Sequence, residues 1–299
     1  MKIKKVLQIL EKKLQNKKIE SARAEAEILL SQTLRKNREF LYTYPEQRLN
    51  FWQKLKLNSF LAKRLSGTPL AYILGHKQFY GLDFIVNKNV LTPRPETELM
   101  VDEVLKVIKN CEFPSRTDPP GAEKIKNIVD VGTGSGCMII SIVKNLNNND
   151  INYWGLDISR RALRVARQNA EKNGLNDCIH FLYSDLLNSI DKKIFSEPVI
   201  IVANLPYLTM SQAKDSLTIQ KEPKIALLGG SDGFDCYRWL FNQIKKYSGV
   251  IKGKVLILCE IDEIQKTGMG KLIIQELPKA EFKIINDLNG FARLAIIKI

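Results

Sequence analysis

The 299-residue chain has few of the residues on which metal, redox and histidine-based chemistry depend. It has only two histidines, His76 and His180, and neither lies beside a serine, a cysteine or an acidic cluster. This arrangement argues against a mechanism in which histidine activates a nucleophile. No two of the five cysteines form a Cys-x-x-Cys pair, so neither a zinc site nor a redox dithiol is predicted. We expect reduced thiols that are mostly buried.

Long apolar runs are also absent from the sequence. No segment approaches the roughly 18 apolar residues of a membrane-spanning helix. The apolar stretch at residues 6–10 is too short for the core of a signal peptide and is interrupted by Glu11. A cytoplasmic protein that does not contact a membrane is therefore expected. The composition, with 44% hydrophobic and 26% charged residues, is typical of a globular protein, and the length suits two domains.

The positive charge is concentrated in the first part of the chain. The formal net charge is +14, and residues 1–89 hold 18 basic but only 7 acidic side chains. Such asymmetry indicates an acidic or nucleic-acid-associated partner for this part. Lysine, isoleucine and asparagine are frequent throughout, so a bias in composition accounts for the charge equally well, and both interpretations stay open.

The first 65 residues are predicted to be helical, because apolar residues recur there at helical spacing. The predicted buried faces are Val6, Leu7, Leu10 and Leu14, then Ala22, Ala26, Leu29 and Leu30, then Phe51, Leu55, Leu61 and Leu65. Ser21 is predicted to cap the second helix, with Glu25 close behind it. We assign residues 1–70 to an N-terminal helical domain for substrate recognition.

A β-hairpin is predicted to link this domain to the rest of the chain. Two short strands within residues 79–86 flank Gly81, and residues 71–95 are assigned to the linker. Two prolines then flank Arg94 and hold its backbone extended, and a helix is predicted to begin at Thr97 or Glu98. Residues 110–124 are rich in turn residues and are predicted to form a loop.

Residues 96–299 are predicted to form an α/β domain. Strands are predicted near residues 125–131, 152–157, 178–183, 199–203, 254–261, 281–287 and 292–298. Helices are predicted at residues 137–146, 160–173, 236–248 and 265–276. The alternation implies a mainly parallel sheet with helices on both faces. The last two strands are predicted to form a hairpin that adds an antiparallel strand at the end of the sheet.

A glycine-rich turn follows the first strand of this predicted domain. It consists of Gly132, Thr133, Gly134, Ser135 and Gly136. Glycines let a ligand approach the backbone closely, and the helix that follows presents free N–H groups. Many nucleotide sites have such a turn, and no Walker lysine follows this one. Asp130, just before the turn, is predicted to brace the loop or to hold a ligand amino group through water.

Acidic residues end the next two predicted strands. Asp157 lies 21 residues after Gly136, where a carboxylate accepts hydrogen bonds from two ribose hydroxyls. Asp185 ends the strand after that, where a carboxylate can accept from an adenine amino group. These positions lie at one edge of the sheet, so the predicted ligand is an adenosine compound. A dinucleotide-dependent oxidoreductase is still open at this point.

The apolar strand at residues 199–203 ends in Asn204, Leu205, Pro206 and Tyr207. Pro206 lacks the N–H that a central strand needs, so the strand cannot continue through it. Asn204 and Tyr207 are therefore expected at the sheet edge where α/β proteins bind ligands. This corner favours methyl transfer from S-adenosyl-L-methionine over oxidoreductase chemistry.

Six segments occur in the order seen in one known family: residues 70–75, 79–82, 93–98, 130–136, 204–207 and 222–230. Over nearly its whole length the sequence resembles the HemK/PrmC family, glutamine N5-methyltransferases of peptide chain release factors. Many methyltransferases share the glycine turn, whereas residues 93–98 and the Asn-x-Pro-Tyr corner are more specific. The resemblance implies a Rossmann-like, seven-stranded class I methyltransferase fold. It also implies S-adenosyl-L-methionine as cofactor and the glutamine of the Gly-Gly-Gln tripeptide in bacterial class-I release factors as substrate.

The resemblance implies roles for individual residues. The predicted catalytic corner is Asn204, Leu205, Pro206 and Tyr207, which also holds the substrate together with Arg94 and Glu96. The predicted cofactor site is Gly132, Thr133, Gly134, Ser135, Gly136, Asp157, Asp185, Leu186 and Asn204, and no metal is needed. The side-chain oxygen of Asn204 and the carbonyl of Leu205 can accept the two N–H groups of an amide. The ring of Tyr207 can pack over that amide and face the sulfonium.

Two residues depart from the family pattern, and two other functions stay open. Leu205 stands where the family usually has proline, and Leu186 where it often has an aromatic residue. The corner as it stands also occurs in rRNA adenine dimethyltransferases, so an adenine N6-methyltransferase that stacks a flipped base on Tyr207 is one alternative. A non-catalytic, ribosome-associated adenosine-binding module is the other. The helical first domain and residues 93–98 favour the release-factor enzyme, for which nucleic acid is neither required nor excluded.

Overall fold

The computed structural model describes residues 1–109, 124–214 and 218–299, which divide into two compact units. The first unit contains residues 1–76 together with 218–221, and the second contains the remaining described residues. The loop predicted at residues 110–124 lies outside the described residues except for Lys124.

The first unit is a bundle of short helices, as the apolar spacing predicts. Its helices are α1 (Ile3–Gln15), α2 (Ala22–Leu34), α3 (Arg38–Thr43), α4 (Phe51–Leu65) and α5 (Leu70–Leu74). The predicted faces of α1 and α2 are buried in one apolar core, to which α3 and α4 also contribute. That core contains Val6, Leu7, Leu10, Leu14, Ala22, Ala26, Leu29, Leu30, Leu41, Leu57 and Leu61.

Two local predictions in the first unit are wrong. Leu61 is buried as expected, but Phe51 and Leu55 are 65% and 47% exposed. Helical spacing of apolar residues identified this helix but not the face that packs. Ser21 occupies the N-cap position of α2, yet its hydroxyl donates to Glu25 at 3.2 Å and caps no backbone N–H.

The predicted hairpin is present as a two-stranded sheet of β1 (His76–Phe79) and β2 (Leu82–Ile85). Tyr80 and Gly81 between them have φ values of +49° and +73°, as a two-residue type I′ turn requires. The buried Asn169 amide accepts from Ile85 N at 2.7 Å and donates to Ile85 O at 3.0 Å. It also donates to the carbonyl of Ser135 at 2.9 Å, which ties β2 to the glycine-rich turn.

A seven-stranded sheet lies at the centre of the second unit. Its strands are β3 (Asn127–Val131), β4 (Asn152–Asp157), β5 (Ile179–Tyr183), β6 (Val199–Ala203), β7 (Val255–Glu260), β8 (Glu281–Asn286) and β9 (Ala292–Lys298). Their order is β5-β4-β3-β6-β7-β9-β8, and β9 runs in the opposite direction to the other six strands of this sheet. The mostly parallel sheet is confirmed, but the antiparallel strand is second from the edge because β8 pairs outside it.

Helices cover both faces of this sheet, as predicted. The covering helices are α6 (Glu98–Lys109), α7 (Cys137–Leu146), α8 (Arg160–Lys172), α10 (Asp235–Lys246) and α11 (Lys266–Glu276), whereas the short helix α9 (Met210–Lys214) has no buried residue. Alternate residues of β6 enter two apolar clusters. Ile200 and Val202 pack with α6, α7 and α8, whereas Ile201 and Ala203 pack with α10 and α11. All four side chains are completely buried, which is why the strand reads as an unbroken apolar run.

The strand order reverses at β3, which has β4 on one side and β6 on the other. In open α/β sheets a crevice forms at such a reversal, outside the carboxyl ends of the strands. The glycine-rich turn follows β3 and Asn204 follows β6, so the fold brings both to this crevice.

The described cysteines are free thiols but are less buried than expected. Cys259 is buried within β7, Cys137 and Cys236 are partly exposed, and Cys178 is exposed because it lies in the turn before β5. None of the described helices is both long and apolar enough to cross a membrane.

Candidate active site

A cavity of about 500 Å³ opens in the second unit at the carboxyl ends of β3, β4, β5 and β6. Loops after these strands supply one wall, and residues 89–97 and 223–228 supply the other. Most of the predicted site residues line it, namely Arg94, Gly132, Thr133, Gly134, Ser135, Asp157, Asp185, Leu186, Asn204, Leu205 and Pro206. The structure therefore brings together residues that lie more than 100 positions apart in the sequence.

Three of the predicted site residues do not line this cavity. Gly136 packs toward the helices, since a Cβ on it would lie 2.9 Å from Ile140 Cδ1. Glu96 is exposed, and Tyr207 is partly buried, with its hydroxyl bonded to Glu260.

The glycine-rich turn has a backbone that other residues adopt with strain. Gly132, Gly134 and Gly136 have φ values of +74°, +56° and +79°. A Cβ on Gly132 would lie 3.1 Å from Leu205 Cδ2, so this glycine makes room for the corner. A Cβ on Gly134 would meet no protein atom closer than 3.9 Å, so the space in front of it is open to a ligand.

Two aspartates hold this turn in place. Thr133 Oγ1 donates to the fully buried Asp130 at 2.7 Å, as expected for a bracing residue. Asp157 accepts from Gly134 N at 2.9 Å and from Ser159 N at 2.7 Å, one bond on each carboxylate oxygen. Each Asp157 oxygen keeps a lone pair for a further donor. Burial raises the pKa of Asp157, and the two backbone N–H groups oppose the shift.

The loop after β5 forms the end of the cavity beside α10. Leu186 has a φ of +51°, and its carbonyl accepts from the buried Ser184 hydroxyl at 2.7 Å. Asp185 is exposed at the cavity mouth, and Trp239 of α10 also lines the cavity while 57% exposed. An apolar ring and a carboxylate at one end of the cavity suit a flat base with an amino group.

The corner after β6 is held by side chains that are far away in the sequence. Asn204 Nδ2 donates to Thr97 Oγ1 at 3.1 Å, and Thr97 Oγ1 donates to Glu260 Oε2 at 2.6 Å. The Tyr207 hydroxyl donates to the other Glu260 oxygen at 3.5 Å. Burial raises the pKa of Glu260 to about 7, although the bonds from Thr97 and Tyr207 lower it.

A second loop packs tightly on the backbone of the corner. A Cβ on Gly229 would lie 2.4 Å from the carbonyl oxygen of Pro206, and one on Gly233 would lie 2.3 Å from that of Tyr207. The buried Gln265 amide donates to both Tyr207 O, at 3.4 Å, and Gly233 O, at 3.1 Å. These contacts leave the corner little freedom to move.

Arg94 is fixed by an ion pair on the opposite wall of the cavity. Its guanidinium bonds Glu222, whose side chain is fully buried and also accepts from Thr92 N at 3.2 Å. Arg94 itself is about one-third exposed. The pair joins the two segments of this wall, and Arg94 is one of the residues that line the cavity.

Thr97, Glu260, Gly229 and Trp239 were not singled out from the sequence as site residues. A signal for Glu260 was present, since it ends an apolar strand in the same way as Asp157 ends β4. Nothing local identifies the other three, because their roles depend on contacts with distant residues.

The fold, the glycine-rich turn and the acidic strand end define a class I methyltransferase dependent on S-adenosyl-L-methionine, and the open, glycine-lined cavity fits that cofactor. Residues 122–276 match a family model described as a methyltransferase domain, and residues 5–75 match the PrmC N-terminal domain. A release factor glutamine methyltransferase of Bacillus anthracis is 32% identical over 91% of this chain and 91% of its own length. The corresponding protein of Coxiella burnetii is 31% identical over 92% and 91%. The chain belongs to the release factor glutamine methyltransferase family.

Two other similarities extend over different lengths. A bifunctional methyltransferase of Rickettsia bellii is 34% identical over 88% of this chain, which spans only 49% of that relative. The solved catalytic domain of hMettl16, a human protein in complex with MAT2A 3'UTR hairpin 6, aligns with a TM-score of 0.52 at 13% identity. That alignment covers 82% of this chain and 80% of the other, and at this identity it supports the fold alone.

Proposed function

We propose that the protein transfers a methyl group from S-adenosyl-L-methionine to the side-chain amide N5 of a glutamine. The substrate in this proposal is the Gly-Gly-Gln motif of bacterial class-I peptide chain release factors. The observation that carries it is the state of Asn204, which lines the cavity with its NH₂ group already bonded to Thr97. Its carbonyl oxygen is then the part of the side chain left to accept a hydrogen bond from a substrate.

The chemistry of an amide explains why such an acceptor matters. An amide nitrogen is a weak nucleophile because its lone pair is delocalised into the carbonyl group. The Asn204 Oδ1 and the backbone carbonyl of Leu205 accept its two N–H groups and hold the nitrogen in line with the methyl group. These two hydrogen bonds also keep the N–H protons out of the path of the incoming methyl group. One of the two protons leaves the nitrogen after the methyl group has bonded to it.

Leu205 keeps this acceptor pair despite its departure from the family pattern. Its side chain is buried against Gly132, so the residue is anchored by packing where proline would be anchored by its ring. The proposal places the ring of Tyr207 over the planar amide and Arg94 and Glu96 against the rest of the substrate segment. Of these three residues only Arg94 lines the cavity itself, so Tyr207 and Glu96 would contact the substrate beside it. Glu222 supports the Arg94 role by fixing its guanidinium.

The cofactor supplies a methyl group on a positively charged sulfur. In the proposed arrangement, residues 132–136 approach it with their backbone and Asp157 accepts from the ribose hydroxyls. Asp185 accepts from the adenine amino group, and Leu186 packs on the base. The free lone pairs of Asp157 and the open space at Gly134 support these roles.

The helical domain assigned to residues 1–70 recognises the release factor in this proposal, residues 71–95 are the linker and residues 96–299 are the methyltransferase domain. The excess of basic side chains in residues 1–89 supports a macromolecular partner, and translation factors act in the cytoplasm.

Methyl transfer from labelled cofactor tests the proposal directly. The protein is incubated with a release factor, with its Gln→Ala variant in the Gly-Gly-Gln motif, or with ribosomal RNA. Label is expected in the first sample alone. Label in both protein samples, or in RNA alone, would refute the proposal in favour of another acceptor. No transfer to any sample would favour an adenosine-binding module.

A further inference from the structure

Glu260 is a buried carboxylate for which the proposed reaction has no direct use. It ends β7 and is 4% exposed. Its two oxygens accept from different hydroxyls, Thr97 Oγ1 at 2.6 Å and Tyr207 OH at 3.5 Å. A carboxylate is rarely buried without such partners, and here one of them, Thr97, is bonded to Asn204.

The charge of Glu260 sets the direction of the hydrogen bonds that lead to Asn204. An ionised carboxylate can only accept, so the single hydroxyl proton of Thr97 is committed to Glu260. Thr97 then offers Asn204 only a lone pair. The amide of Asn204 must present its NH₂ group to Thr97, as the 3.1 Å bond from Nδ2 records.

We infer that Glu260, acting through Thr97, determines which end of the Asn204 amide faces the cavity. Asparagine is nearly symmetric in shape, so packing alone does not distinguish its oxygen from its nitrogen. The carboxylate makes that distinction by fixing the Thr97 hydroxyl as an acceptor toward Asn204. Thr97 and Glu260 are thus positioning residues that act through Asn204, and this role rests on the proposed amide methylation.

A neutral group at position 260 removes this control. A glutamine or a protonated glutamate can donate to Thr97, whose hydroxyl is then free to donate to Asn204 Oδ1. The Asn204 amide turns over, and its NH₂ group faces the substrate NH₂. Two donors then meet where one acceptor is needed, and the substrate nitrogen is no longer oriented.

The protonation state of Glu260 depends on every charged group around it. Burial and Glu96 raise its pKa, the bonds from Thr97 and Tyr207 and the charge of Arg293 of β9 lower it, and the resulting pKa is about 7. The Cys137 thiol of α7 and the Tyr237 hydroxyl of α10 also interact with it, and desolvation keeps both groups neutral by raising the pKa of each. The ionised, correctly directing form therefore predominates above about pH 7.

Three substitutions test this role, with a fourth as control. Glu260→Gln keeps the shape but can donate, Thr97→Val keeps the shape without a hydroxyl, and Thr97→Ser keeps the hydroxyl. Glu103→Gln is the matched control, because Glu103 is another buried carboxylate, on α6, that pairs with Lys106. For each protein, kcat and KM for the release factor, the Kd for S-adenosylhomocysteine and the melting temperature are measured.

Glu260→Gln and Thr97→Val are expected to lower kcat roughly 100-fold, as misplacement of a reacting group does. Their Kd for S-adenosylhomocysteine is expected to stay within about threefold of wild type, since cofactor contacts are separate. Thr97→Ser should restore most of kcat, and Glu103→Gln should leave it unchanged. The kcat of the wild type should decrease as the pH is lowered below 7. The residual kcat of Glu260→Gln should not show this decrease.

The outcomes separate this inference from the proposed function. If wild type does not methylate the release factor, the proposed function itself is wrong. If wild type does so and Glu260→Gln or a folded Thr97→Val keeps the wild-type kcat, the inference is wrong. Parallel loss of kcat, cofactor affinity and melting temperature would assign Glu260 a structural role and also overturn it. If Glu260→Gln does not fold, the comparison of kcat between Thr97→Val and Thr97→Ser decides whether the inference holds.

Discussion

The glycine-rich turn and the Asn-Leu-Pro-Tyr corner follow neighbouring strands and meet at one crevice, yet they are built differently. The contacts that hold the turn span short stretches of sequence, because Asp130 lies 3 positions from Thr133 and Asp157 lies 23 positions from Gly134. The corner depends on Thr97, which is 107 positions from Asn204, and on Glu260, which is 163 positions from Thr97. The main supports of the turn thus come from its own strand end and the end of the next strand, whereas the orientation of the Asn204 amide depends on residues from distant parts of the chain.

Removal of the Asn204 side chain should have the largest effect on activity. It should affect the function of the corner, which is catalysis, and not that of the turn, which is cofactor binding. Asn204→Ala is expected to lower kcat roughly 1000-fold, as removal of a preorganised hydrogen-bonding group at a reacting centre does. Binding of S-adenosylhomocysteine, measured by calorimetry, should be nearly unchanged. Loss of both together would mean that Asn204 is mainly structural and that the comparison is false.

The converse change on the turn should weaken cofactor binding first. Asp157→Ala removes the acceptor for Gly134 N and Ser159 N as well as the proposed ribose acceptor. The loss of hydrogen bonds to a charged group is expected to cost about 2 kcal/mol of affinity for S-adenosylhomocysteine, or roughly 30-fold. An unchanged Kd would remove Asp157 from the cofactor site.

A methyl group placed behind the corner should disturb it without touching the cavity. Gly229→Ala forces the Pro206 carbonyl to move, because the new Cβ would lie 2.4 Å from its oxygen. We expect a loss of roughly tenfold in kcat and of about 1–3 kcal/mol in stability, as for other overpacked sites. Gly249→Ala is the control, since its Cβ would meet nothing within 4 Å. Equal effects of both substitutions would contradict the tight packing of the corner.

Each region also contains one buried carboxylate whose titration should make the stability of the protein depend on pH. Burial raises the pKa of Asp130 from 3.8 and that of Glu260 from 4.5, each to about 7. Across that range the folded state holds protons that the unfolded state releases, so the free energy of unfolding falls as pH rises toward 7. The melting temperature should therefore also fall as pH rises toward 7. Glu260→Gln should reduce this fall without abolishing it, because Asp130 remains. An equal or steeper fall in the variant would contradict the assignment.

The sequence predicted the parts of this architecture that local patterns encode. The parallel strands were found because β6 and β7 are buried on both faces and read as unbroken apolar runs. Asp157 and Asn204 were found because polar residues that end such strands stand out. The exposed face of α4, with Phe51 and Leu55, was assigned wrongly because helical period does not say which side meets a partner.

The parts that were missed are those that depend on contacts across the sheet. Thr97 was predicted only as a helix start, and its role appears once β7 places Glu260 beside it. Gly229 lies in a segment that resembled the family, but its missing Cβ matters only against Pro206. Such constraints are set by three-dimensional packing, and no period or spacing within one segment reports them.

The central claim is that the corner around Asn204 holds a planar amide for methylation. Mass spectrometry of a release factor treated with the enzyme and S-adenosyl-L-methionine tests it most directly. The account predicts one added methyl group, located by fragmentation on the side-chain nitrogen of the glutamine in Gly-Gly-Gln, and none after treatment with Asn204→Ala. A methyl group on another residue, or on RNA with the release factor left unmodified, would contradict it.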